Sequence, residues 1–273
     1  MRVALAAAIA SLTLNPAAAR AEPDSRRVET ALASLAGELD PRAASALESI
    51  DGTGRRLLAA RAYLRAAPQL AERWSWSAAD AAAFEGSPEN RELDAAIARV
   101  RCNFEAGNPG YTLWINPEFR SLDVQLERWN GNETVAQAGE DLLASVRRRL
   151  DATSAGDSST AADVAALRSL LLEHQPVPVP TLAAPGLSPH GRMRAIDFQV
   201  ESSGRIVAGT DSASIASEWI AAGWKARLQA AIDSADAGFH GPLSTPDEPW
   251  HYEFRPEAGQ GDAAHASACN PVT

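Results

Sequence analysis

Ala195-Ile196-Asp197-Phe198-Gln199-Val200 is a short β-rich run with a carboxylate set near its start. It reads as a strand, and its neighbours set the class. Downstream, Arg205–Ala208 reads as a second strand, the stretch Ser212–Ile232 as helices, and Trp250–Phe254 as a last strand. Upstream, Gln175-Pro-Val-Pro-Val-Pro180 reads as extended, because each Pro turns its predecessor away from helix. Further back, the turn cluster Gly107-Asn108-Pro109-Gly110 precedes a strand over Tyr111–Ile115. Helical pattern then covers Ser121–Trp129, Glu133–Leu150 and Thr160–Glu173, with a polar loop over Asp151–Ser159. Strands and helices mix without strict βαβ alternation. That predicts an α+β domain with a small, mostly antiparallel sheet flanked by helices.

Residues 22–106 read as a helical N-terminal region. Ser25 can cap a helix that carries Val28, Leu32 and Leu35 on one face. Asp40-Pro41 opens another, and Gly52-Thr53-Gly54 breaks it. Leu57, Ala60 and Leu64 recur at helical spacing, and Ser87-Pro88-Glu89 starts a further helix through Leu93, Ile97 and Val100. No repeat and no catalytic motif falls here. The expected divisions are a signal peptide at 1–21, this helical region, a catalytic domain at 107–256 and a tail at 257–273.

Composition narrows the class of partner. The chain is 45% hydrophobic and 22% charged, which allows a sizeable core. A formal net charge of −10 argues against nucleic acid, since phosphate contacts need clustered Lys and Arg. Arg2, the apolar run Val3–Leu14 and the small-x-small Ala19-Arg20-Ala21 read as a secretory signal cut after Ala21. The mature chain is then expected to be periplasmic or extracellular. No later stretch is long and apolar enough to span a bilayer. The two cysteines, Cys102 and Cys269, are a disulfide pair or two separate thiols; spacing does not choose between these.

Three constellations carry chemistry. The first is Ser188-Pro-His190-Gly-Arg-Met-Arg-Ala195-Ile-Asp197. A charge inside a β-rich segment needs a partner or a metal, and zinc accepts both imidazole and carboxylate. Spacing alone favours the plainer reading, a surface His beside a strand-end Asp. The second is Asp247-Glu248-Pro249-Trp250-His251. Here a base and a ligand lie three residues apart, with Pro249 holding them out of a helix. An aromatic strand with one exposed His fits equally. The third is Phe119-Arg120-Ser121-Leu-Asp-Val-Gln125, where an Arg at a strand-to-helix junction can enter a cleft or make a surface ion pair. His174, His240 and His265 are poorer candidates: a helix end, a cleft border and a polar tail.

Together the three resemble the D-alanyl-D-alanine carboxypeptidases and dipeptidases of the vancomycin-resistance type, zinc peptidases with a hedgehog-like fold. The family pattern is Gly-Tyr-Arg-Ser-x-x-x-Gln, then Pro-Gly-x-Ser-x-His-x-x-Gly-x-Ala-x-Asp, then Glu-x-Trp-His. Here it reads Glu118-Phe-Arg120-Ser121-x-x-x-Gln125, then Pro185-Gly186-Leu-Ser188-Pro-His190-x-x-Met193-x-Ala195-x-Asp197, then Glu248-Pro-Trp250-His251. The resemblance covers about residues 110–256. It implies zinc on His190, Asp197 and His251, Glu248 as general base, and Arg120 at the substrate carbonyl or carboxylate. It implies Ser188, Gln125 and Trp250 near substrate, with packing as the other role open to Trp250. The implied reaction is hydrolysis of peptidoglycan stem peptides, first as a D-alanyl-D-alanine carboxypeptidase. Endopeptidase or L,D-carboxypeptidase cleavage, a non-catalytic wall-binding module and a hedgehog-like signalling role are the alternatives. Met193 replaces a family glycine and Phe119 a tyrosine, and the helices over 133–174 lengthen the segment between Arg120 and His190.

Overall fold

The computed structural model describes residues 16–116, 119–153 and 160–255. Among these residues six α-helices come first: α1 (Pro16–Ala36), α2 (Pro41–Glu48), α3 (Thr53–Ala66), α4 (Leu70–Arg73), α5 (Ala78–Phe84) and α6 (Pro88–Gly107). Strand β1 (Thr112–Ile115) is followed by α7 (Leu122–Gly131), α8 (Glu133–Thr153) and α9 (Thr160–Glu173). Then come β2 (Ala195–Ser202), β3 (Arg205–Ala208), a π-helical segment (Ile215–Ala221) and α10 (Trp224–Ala235). The short strands β4 (Phe239–His240), β5 (Leu243–Ser244) and β6 (Asp247–Glu248) precede β7 (His251–Phe254). The class is α+β, as the alternation of textures predicts.

Most helix starts follow their caps. Asp40 accepts from the Arg42 amide with Pro41 in the first turn of α2, and Ser87 accepts from the Asn90 amide ahead of Pro88 in α6. Ser77 and Asp80 form a reciprocal capping box at α5, an Ala-rich helix that the apolar period did not reveal. Ser121 caps α7. The first helix begins before Ser25: α1 starts at Pro16, because the Ala-rich stretch before Ser25 favours helix. The expected apolar stripe is right, with Val28, Leu32 and Leu35 all buried. At Gly52-Thr53-Gly54 the break is Gly52 alone (φ 73); Thr53 and Gly54 belong to α3. The expected polar loop begins later than Asp151, since α8 runs to Thr153, and 154–159 lie outside the described residues. So do the apolar run at 3–14, His265 and Cys269, and with Cys269 the choice between a bridge to Cys102 and two separate thiols. Among the described residues no helix is long and apolar enough to cross a membrane.

Two cores form. The first packs α1, α2, α3, α8 and α9 around Leu35, Leu57, Leu142 and Leu167, and takes in Trp74, Trp129, Ala184 and Leu187. The second packs α6 and α10 against the sheet around Phe104, Phe198, Leu228 and Tyr252. The cores interleave along the chain: α6 precedes β1 but joins the sheet, while α8 and α9 follow β1 and complete the helical bundle.

The sheet runs in the order β1-β2-β7-β4, with β3 also on β2, and every pairing is antiparallel. Phe198 and Val200 of β2 point into the second core. Side chains alternate across a strand, so Asp197 and Gln199 occupy the opposite face. Asp197 pairs directly with His251, which brings two residues 54 apart in sequence onto that face.

Candidate metal centre

Each of the three implied ligands is held by a different device. Asp197 sits on the central strand and His251 opposite it on β7. His190 lies in a 3₁₀ turn, Pro189–Arg192, just after Ala184 and Leu187 anchor the chain in the first core. The three therefore meet at the seam between the cores, and all are buried; Asp197 is 5% exposed.

Their donor atoms converge. His251 Nδ1 is 3.1 Å from Asp197 Oδ1, His190 Nε2 is 3.4 Å from the same oxygen, and the two ring nitrogens are 3.3 Å apart. Tetrahedral ligands at about 2.0–2.1 Å from a zinc stand roughly 3.3 Å from one another. The donor set, its burial and its spacing therefore fit a cation, and this group can hold a metal ion. Among the described residues it is the one cluster of that kind.

The surroundings support the charge states a metal needs. Burial alone would raise the Asp197 carboxyl. Hydrogen bonds from His190 and His251, with the nearby Arg120 charge, outweigh it and hold the group well below the usual carboxylate range. Burial pushes the His190 imidazole down, against the pull of Asp197, which favours the neutral ring that binds metal. Arg120 Nη2 donates to Asp197 Oδ2 at 2.7 Å, so one carboxylate oxygen faces the histidines and the other is pinned by the guanidinium. Glu248 ends β6, and its Oε2 is 3.6 Å from His251 Nδ1. Burial raises the Glu248 carboxyl above its ordinary value.

Gln125 and Trp250 are both buried. Gln125 is turned inward: its Oε1 accepts from the Gly186 amide at 3.0 Å, and its Nε2 donates to Arg120 O at 2.7 Å and Ser75 Oγ at 2.9 Å. All the polar atoms of the amide are thus engaged within the chain. Trp250 is 2% exposed and packs beside Trp219 in the second core, the packing alternative. Ser188 is half-buried two residues before His190, and its side chain makes no cap to the turn. His174 lies away from the site, with its Nε2 3.1 Å from Asp141. His240 is exposed on β4.

At Met193 the backbone is left-handed (φ 52), so the bend that suits a glycine is present on a methionine. Gly191 is small for another reason: a Cβ there would meet Ser75 Oγ at 2.1 Å. Ser75 and Trp114 carry no motif and escaped the sequence reading. Trp114 pairs with Gln199, two residues along the face that bears Asp197, and is 39% exposed there. Only the register reveals that placement. The chain matches no protein-family model, no curated protein sequence and no solved structure.

Proposed function

We propose that this protein is an exported zinc peptidase acting on peptidoglycan stem peptides, with removal of a C-terminal D-amino acid as its reaction. The observation that carries the reading is the mutual spacing of His190, Asp197 and His251, with the Glu248 carboxylate 3.6 Å from one of them. Three protein ligands leave a coordination position open, the arrangement of catalytic rather than structural zinc. When bound, zinc would acidify water and polarise a carbonyl. Glu248 would take a proton at Oε2 and return it to the leaving amine, a role suited to a carboxylate raised by burial. Arg120 fixes Asp197 through Nη2, and its remaining N–H donors suit a substrate carbonyl or carboxylate. The choice of substrate rests on the three-motif resemblance, and export on the apolar run after Arg2.

The test compares wild type with Glu248→Gln on purified muropeptides, with metal measured after mild purification. We expect about one zinc per chain in both proteins. We expect kcat lower in the variant by about 10²–10⁴-fold, the usual worth of a positioned acid–base group. Equal, metal-independent turnover would sink the assignment. Product analysis separates release of a terminal D-amino acid from cleavage of a cross-link or an L,D bond. Binding without turnover in either protein would favour a wall-binding module.

A further inference from the structure

We infer that the N-terminal helical region positions the metal, through a clamp at residues 72–76 with Ser75 at its centre. This rests on the metal-site reading above. The loop that carries His190 runs from Gly186 to Arg194, and four contacts tie it to the N-terminal region. The Ser75 amide donates to Gly186 O at 2.8 Å and the Trp76 amide to Gly191 O at 2.7 Å. These bracket His190 from both sides. The Arg192 guanidinium donates to Glu72 O, and Arg194 pairs with Glu89 at the start of α6. Both arginines that flank Met193 are thereby used to hold the loop.

Ser75 links this clamp to the other elements of the site. It is buried, and its Oγ accepts from Gln125 Nε2. The same amide group holds Arg120 O and the Gly186 amide. Arg120 in turn pins Asp197. Ser75 therefore holds the His190 loop through its backbone amide, and through its hydroxyl it tethers Gln125, whose amide joins that loop to the segment that orients the Asp197 carboxylate. The fit leaves no slack: the space a Cβ would take at Gly191 is filled by Ser75 Oγ at 2.1 Å and Gln125 Nε2 at 2.6 Å. Groups one step removed from the ligands set ligand direction, and losing them typically weakens metal binding about 10–100-fold. Ser75 is thus a positioning residue, contributed by a region without any catalytic motif.

The experiment measures zinc affinity of the full chain by competition with a chromophoric chelator, and amide hydrogen exchange of the metal-free protein. Ser75→Ala is expected to weaken zinc about tenfold. It should also speed exchange of the Gly186 amide, whose acceptor Gln125 loses a tether. Gly191→Ala should weaken zinc more, because its Cβ collides with Ser75. The double variant Ser75→Gly with Gly191→Ala removes the collision with Ser75, leaves the close approach to Gln125 Nε2, and should regain part of the affinity, an outcome that general destabilisation would not give. Wild-type affinity and wild-type Gly186 exchange in Ser75→Ala would overturn the clamp. If wild type itself takes no zinc, the metal-site reading fails, and Gly186 exchange alone decides whether Ser75 holds the loop.

Discussion

At the scale of single residues, Met193 is the sharpest departure from the motif that the chain otherwise resembles. A glycine there would suit a left-handed backbone, and the backbone is left-handed, at φ 52. The turn is therefore kept and the strain is carried by an L side chain, at a cost of about 1–2 kcal/mol. Met193 is partly compensated, since its side chain packs against the second core. Two substitutions separate the effects. Met193→Ala keeps the strain and loses the packing, whereas Met193→Gly loses both. We expect Met193→Gly to be more stable than Met193→Ala by about 1 kcal/mol in urea unfolding. The reverse order would show that the left-handed conformation is not a source of strain.

At the scale of elements, the crossing of α3 and α8 sets how the helical bundle closes. Gly54 and Gly139 face each other there, and a Cβ on Gly139 would lie 2.7 Å from the Gly54 backbone carbon. Backbone cannot move aside as a side chain can. Gly139→Ala should therefore destabilise by about 2 kcal/mol, the gain in helix propensity being outweighed by overpacking. For a chain of this size that lowers the melting temperature by roughly 4–8 °C. Gly107→Ala, in open space at the end of α6, is the control and should not lower it. The sequence read Gly54 as part of a break. Local composition could not distinguish a glycine that ends a helix from one that lets two helices touch.

At the scale of the molecule, the helical bundle is built from both ends of a long excursion. Arg27 on α1 reaches Asp163 on α9 through two hydrogen bonds, Nε to Oδ2 at 2.8 Å and Nη2 to Oδ1 at 2.6 Å. The Asp163 side chain is 8% exposed, so this bidentate pair is little screened. Its hydrogen bonds to Arg27 hold the Asp163 carboxyl below the usual range. The sign follows: the stability it contributes is present above the unfolded value near about 3.9, and is lost as pH falls through the depressed folded value. Asp163→Asn should cost about 2 kcal/mol at neutral pH. Denaturation curves from pH 7 down should show the difference between the two proteins shrinking once the pH is below 4. A constant difference down to the lowest pH would reject the linkage.

The sequence by itself determined what short-range physics controls. Asp40-Pro41, Ser87-Pro88 and Ser121 marked their helix starts, because a cap acts within one turn. The runs at 111–115, 195–200, 205–208 and 250–254 marked strands through local β propensity, within two residues of the observed ends, and the order of textures implied the α+β class. Spacing alone left His190, Asp197, His251, Glu248 and Arg120 with plainer readings; the ordered resemblance of three motifs singled them out. Local propensity could not mark the two-residue strands β4, β5 and β6, which exist through their partners. Only the tertiary structure decided which candidates meet. The β2–β7 register sets Asp197 opposite His251, and the packing of the two cores closes His190 onto them. It turned Gln125 inward and buried Trp250, and it set the Ser75 amide, 115 residues before His190 in the numbering, against Gly186 O in the loop that carries His190. The reason is physical: a motif records spacing along the chain, whereas ligand geometry depends on burial and register between segments that no local pattern encodes.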